Sequence, residues 1–199
     1  MKVIGVTGGV GAGKSTVLNM LDGLCNCRII MADDIAKNIM GYGGVLTQTA
    51  LELFGDKAYD DVGRLNREHI AGMIYADDSL RVRWNDAVHP AVNKAIYAQI
   101  DEARNGSFDF VFVEAALLIE NGYDKICDEL WYVYADEQIR RERLKKERGY
   151  TDSRIDGIFE SQMKDSEFRQ HCNFVIDTGI SLENTYDILK NKLEEYTQV

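Results

Sequence analysis

The chain opens with a short, mostly apolar run, Lys2-Val-Ile-Gly-Val-Thr7, that passes without a break into Gly8-Gly-Val-Gly-Ala-Gly-Lys-Ser15. A continuous apolar run of this length, bounded by glycine, is what a strand covered on both faces looks like. Gly8, Gly13, Lys14 and Ser15 satisfy GxxxxGK[ST], and the further glycines at Gly9 and Gly11 let backbone N–H groups turn inward around an anion. The spacing therefore predicts a buried strand, a phosphate-binding loop and then a helix over Thr16–Leu24. Lys14 reaches the β- and γ-phosphates as a point charge, Ser15 offers its hydroxyl to Mg²⁺, and the helix adds its N-terminal dipole. Contacts to a nucleoside triphosphate are assigned to Gly8, Gly9, Val10, Gly11, Ala12, Gly13, Lys14, Ser15 and Thr16.

A chain of 199 residues, 45% hydrophobic and 28% charged, has the composition of one soluble domain with inserted subdomains. No apolar stretch approaches the roughly 20 residues that span a bilayer, and the start lacks the basic then apolar layout of a signal peptide. A cytoplasmic location is expected. The formal net charge of −10 argues against nucleic-acid or anionic-membrane partners, while a few focal cations suffice for a small phosphorylated substrate. The expected state is a monomer or small homo-oligomer. Cys25, Cys27, Cys127 and Cys172 form no CxxC pair and read as reduced, buried thiols.

Further short apolar runs predict strands at Arg28–Met31, Phe108–Val113, Glu129–Tyr134 and Phe174–Ile176. Helical patterns lie between them at Glu68–Tyr75, Ser79–Val88, Ala91–Arg104, Glu137–Lys146 and Leu182–Tyr196. Strands alternating with helices imply βαβ crossovers and an α/β fold, a three-layer α/β/α parallel sheet of the P-loop kinase type. Residues 33–105 are too long and too helical for one crossover and read as a helical substrate-binding insert. Residues 136–170, dense in arginine, read as a helical lid. The core then comprises residues 1–32, 106–135 and 171–199, all within a single P-loop domain.

Three further groups carry chemistry. Phe110-Val-Phe-Val-Glu114 is an apolar strand ending in a carboxylate, the layout that holds Mg²⁺ beside a phosphate loop, so Glu114 joins Ser15 as a metal ligand. Met31-Ala-Asp33-Asp34 places two acids at the carboxyl end of a strand, where ligands of parallel sheets sit. Asp33 is assigned as the base that orients an acceptor hydroxyl, and Asp34 as a helix cap. Arg140 and Arg143 lie three apart on one helix face, placed to close over phosphates, or else to pair with Glu137, Glu142 or Glu147 in solvent. His89 precedes the one proline, Pro90, at an expected helix junction. Tyr42, Tyr59, Tyr75, Trp84 and Tyr97 read mostly as core of the insert.

Together these residues resemble the dephospho-coenzyme A kinases. Val6-Thr-Gly-Gly-Val-Gly-Ala-Gly-Lys-Ser-Thr16 is similar to the family's start, and Ala32-Asp33 with Ile35-Ala36 to its acidic second motif. Phe54-Gly55, Gly63-Arg-Leu65 with Arg67, Tyr75-Ala-Asp77, His89-Pro90, Leu117-Leu118 with Glu120, Arg143-Leu144, Gly149, Gln162 and Val175-Ile-Asp177 follow in the family's order. The resemblance implies transfer of the ATP γ-phosphoryl group to the ribose 3′-hydroxyl of dephospho-coenzyme A, the last step of coenzyme A biosynthesis, with ATP and Mg²⁺ as cofactors. It implies that Asp33, Lys14 and Arg143 act in catalysis, that Arg140 and Arg148 join the loop in binding ATP, and that Asp33, Arg67, His89 and Leu117 contact the acceptor.

The chain departs from the family's usual residues at Met31, at Asn93, at Glu114-Ala-Ala-Leu-Leu118, at Glu147 beside Arg148, and at Thr178. Other readings stay open. One is another small-molecule or nucleotide kinase of the same fold, since the insert sets the acceptor. The others are a nucleotide-binding switch without a substrate and a degenerate relative kept for partner binding. Asp60-Asp-Val-Gly63 meets a GTPase DxxG pattern but falls in the insert, and Asn191-Lys-Leu-Glu194 lacks the aspartate of NKxD.

Overall fold

The computed structural model describes residues 1–197. The strands are β1 (Lys2–Thr7), β2 (Cys27–Met31), β3 (Phe110–Glu114), β4 (Glu129–Tyr134) and β5 (Phe174–Asp177), in one sheet of order β2-β3-β1-β4-β5. The pairings of β1 with β3 and β4, and of β4 with β5, are parallel. The helices are α1 (Lys14–Leu24), α2 (Ala32–Met40), α3 (Thr47–Phe54), α4 (Arg67–Ala76), α5 (Asp78–Asn105), α6 (Glu137–Arg148), α7 (Asp152–Ser161), α8 (Asp165–His171) and α9 (Leu182–Thr197). The expected three-layer α/β/α sheet is what forms. Every residue of β3, and every residue of β1 after Lys2, is buried, which requires cover on both faces. The last two residues of the expected core segment 171–199 lie outside the described residues. No helix among the described residues is long and apolar enough to cross a membrane.

The chain divides into two compact units. One comprises Met1–Ile30 and the chain from Ala103 onward; the other is Met31–Glu102. In the first, Phe110 and Phe112 of β3, Trp131 of β4 and Phe174 of β5 form a run of aromatic contacts that passes over β1, and Tyr196 of α9 closes on Phe110. Such contacts set strand register as well as burying area. In the second, Phe54 meets Trp84 edge-on at 5.5 Å, over a core that includes Ala50, Leu53 and Ile70.

Several expectations need correction. Pro90 does not divide two helices; it lies inside α5. His89, Pro90 and Asp86 are all exposed, so the Asp86 carbonyl that loses a proline N–H can turn to water instead. Asp34 is not a cap, because α2 starts at Ala32 with Met31 as N-cap. Both acids stand in the first turn, facing the positive end of the helix dipole, and Asp34 pairs with Lys37 at 2.7 Å. Tyr42, Tyr75 and Tyr97 are exposed rather than core, Tyr75 at 95%. The four cysteines are free thiols but only half-buried. Asp60–Gly63 is a turn closed by an antiparallel bridge between Tyr59 and Leu65, with the Asp60 carboxylate accepting from the backbone of Val62 and Arg64.

Candidate active site

The loop leaves β1 through Gly8, whose φ of +151° is open to glycine alone, and a Cβ there would meet the Val133 carbonyl oxygen at 2.3 Å. It enters α1 through Gly13, a left-handed N-cap with φ +94°. Lys14 folds back so that Nζ donates to the Gly8 carbonyl at 2.8 Å and stands 3.6 Å from a Glu114 carboxylate oxygen. Glu114 reaches that place by strand register, since β3 pairs it with Val6 just ahead of the loop. Its side chain is 8% exposed, so its charge is opposed by the ammonium in a partly dry site. Ser15 and Thr16 are exposed in the first turn of α1. A serine hydroxyl and a strand-end carboxylate are hard oxygen donors, the chemistry that suits Mg²⁺.

Two arginines of α6 reach the loop through its carbonyls. Arg140 Nε donates to Val10 O at 2.9 Å, and Nη2 to Gln162 Oε1 at 2.8 Å. Its guanidinium lies over Phe159 at 4.3 Å and so close to the loop that a Cβ on Gly9 would fall 2.3 Å from Nη2. Burial lowers the Arg140 pKa from its ordinary value. Arg143 Nη1 donates to Thr178 Oγ1 at 3.0 Å and approaches Gly11 O at 3.4 Å, while Nη2 donates to Thr178 O at 2.7 Å. Thr178 Oγ1 in turn donates to Ala12 O at 2.6 Å. Arg140 and Arg143 therefore do not pair with Glu137, Glu142 or Glu147. That part falls to Arg141, which meets Glu137, Asp152 and Asp156. Arg148 is exposed at the end of α6, its guanidinium 6.0 Å from the Tyr150 ring, and Leu117 is half exposed beyond β3.

In the other unit Asp33 is exposed in the first turn of α2. Arg67 opens α4 and lines a cavity of about 620 Å³ together with Lys37, Met40, Arg64, Leu65 and Asn66. Asp33 and His89 are not among that cavity's lining residues, and His89 is exposed on α5. Two residues gain a place that the sequence reading did not assign. Gln162 touches both Arg140 and the loop, and Thr178 ties Arg143 to it. Gln162 carried a signal only as part of the family's order, and Thr178 only as a departure from it.

The family model of dephospho-CoA kinase matches residues 2–184. The chain is 32% identical over 198 residues to the dephospho-CoA kinase of Bacillus licheniformis, covering 99% of this chain and 98% of that one. Among solved structures, TT1252 from Thermus thermophilus is similar with a TM-score of 0.80 and 26% identity, covering 98% of this chain and 97% of that one. The dephospho-CoA kinase of Campylobacter jejuni shares the fold with a TM-score of 0.70, at 20% identity and the same coverage. A phosphate loop alone would place the chain only in a large superfamily, but the match runs through nearly the whole chain, and the chain belongs to the dephospho-CoA kinase family.

Proposed function

We propose that this ATP-dependent kinase transfers the γ-phosphoryl group to the ribose 3′-hydroxyl of dephospho-coenzyme A. The observation that carries the reading is the convergence of Lys14, Glu114, Arg140 and Arg143 on one glycine loop. Phosphoryl transfer asks little covalent chemistry of a protein and much positioning and charge neutralisation. Asp33, exposed at the positive end of α2, takes the hydroxyl proton as the acceptor oxygen attacks phosphorus and the bond to ADP breaks. Lys14 and the lid arginines carry the charge that spreads over the transferring group. Ser15 and Glu114 would hold Mg²⁺, which would supply positive charge against the phosphates.

Arg67 suits the anionic arm of the acceptor, in a cavity whose other cations, Lys37 and Arg64, pair with Asp34 and Asp60, with His89 and Leu117 as further contacts. Arg148 serves the nucleotide from the end of α6. In this reading residues 33–105 select the acceptor and 136–170 close over ATP. The test is ADP release from Mg²⁺-ATP across dephospho-coenzyme A, nucleosides and nucleoside monophosphates, with Asp33→Asn as control and mass analysis of products. Turnover on dephospho-coenzyme A alone, gaining one phosphoryl mass and collapsing by about a thousandfold in Asp33→Asn while ATP binding persists, is the expected result. Turnover on another acceptor only would overturn the substrate.

A further inference from the structure

Gln162 follows the last residue of α7, and its side-chain oxygen accepts two hydrogen bonds at once, from Val10 N at 3.2 Å and from Arg140 Nη2 at 2.8 Å. Arg140 also donates from Nε to Val10 O. Gln162, Val10 and Arg140 thus close a ring that grips both peptide groups of one loop residue. Phe159, one turn earlier on α7, lies under the same guanidinium. An aromatic face below and a fixed acceptor at one edge leave the planar guanidinium little rotational freedom.

We infer that Gln162 is a positioning residue, a neutral acceptor that fixes Arg140 on the loop and leaves its positive charge whole for the phosphates. The neutrality is the important part. A carboxylate at this place would hold the same two donors but would cancel the arginine's charge and bring a negative charge to the loop that receives ATP. A carboxamide supplies the geometry without the charge. The ring also ties α7 to the loop through one side chain, so the orientation of the arginine and the conformation at Val10 change together. The inference rests on reading Arg140 as a phosphate-facing cation.

The test compares Gln162→Leu, Gln162→Glu and Arg140→Met, each alone and with the two Gln162 variants placed on Arg140→Met, in steady-state turnover of Mg²⁺-ATP with dephospho-coenzyme A. Gln162→Leu should lower kcat by about tenfold with the KM for ATP changed less than about threefold, because the loop and Lys14 still bind the nucleotide. Gln162→Glu should keep the thermal midpoint of the wild type and raise the KM for ATP by about tenfold. On Arg140→Met each Gln162 change should add less than about twofold. Full activity in Gln162→Leu, or effects that multiply undiminished on Arg140→Met, would overturn the inference. Full activity in Arg140→Met would instead overturn the reading of the arginine, so the two failures are distinguishable.

Discussion

Thr178→Val removes one hydroxyl and keeps the branched shape of the side chain. That hydroxyl donates to Ala12 O at 2.6 Å and accepts from Arg143 at 3.0 Å, in a place where Thr178 is 9% and Ala12 1% exposed. A buried carbonyl left without its donor costs about 1–3 kcal/mol. The arginine loses less, because Nη2 stays on the Thr178 backbone and Nη1 still approaches Gly11 O. Together the loss is about 2–3 kcal/mol, which for a chain of this size lowers the thermal midpoint by about 5–10 °C. Thr178→Ser keeps the hydroxyl and should recover most of that loss. The assay is thermal unfolding by circular dichroism of the three proteins side by side. A Thr178→Val protein that melts with the wild type would refute the claim that this hydroxyl braces the loop.

The two glycines at the head of the loop should respond differently to alanine. At Gly8 the added methyl meets a backbone carbonyl in a left-handed conformation, so folding should suffer; at Gly9 it meets the tip of Arg140, which can swing away. Gly9→Ala should therefore keep its thermal midpoint and lose about tenfold or more in kcat, and equal midpoints for the two variants would contradict this. Base should weaken the fold through Cys127. Burial, then the Asp128 and Asp124 carboxylates, push its thiol up from 9.0 to about 12. The unfolded thiol ionises first, so this contribution is full below pH 9.0 and is lost as pH rises through about 12. Urea midpoints across that window should fall less steeply for Cys127→Ala than for the wild type, and parallel profiles would remove the assignment.

What could be read from residue order was what depends on near neighbours or on continuous burial. The Gly8–Ser15 spacing is local, and β1, β3 and β4 are apolar because both faces are covered. The contacts of α6 with the loop were not legible in the same way. Arg140 and Arg141 are adjacent in the chain, yet one meets the loop and the other meets Asp152 and Asp156. Only the rotation of α6 on the loop separates them. The Gln162–Val10 and Thr178–Ala12 bonds join residues 152 and 166 positions apart, with no periodicity to announce them. Pro90 misled because a proline's effect on a helix depends on where the orphaned carbonyl can turn, and here it belongs to Asp86, an exposed residue with water at hand. Tyr75 misled because aromatic character alone does not say which side of a helix faces water.

The sheet order has a consequence for the making of the protein. The strand that carries the loop stands in the centre of the sheet, yet it leaves the ribosome well before either neighbour, since Lys2 pairs with Phe110 and Thr7 with Tyr132. Until β3 and β4 have been made, β1 is an apolar ribbon with its hydrogen-bonding edges open, and before β3 Lys14 has no Glu114 to meet. A nascent chain interrupted before β4 would expose that ribbon to aggregation and to chaperones. The newborn kinase must complete β3 and β4 before β1 can present a binding site.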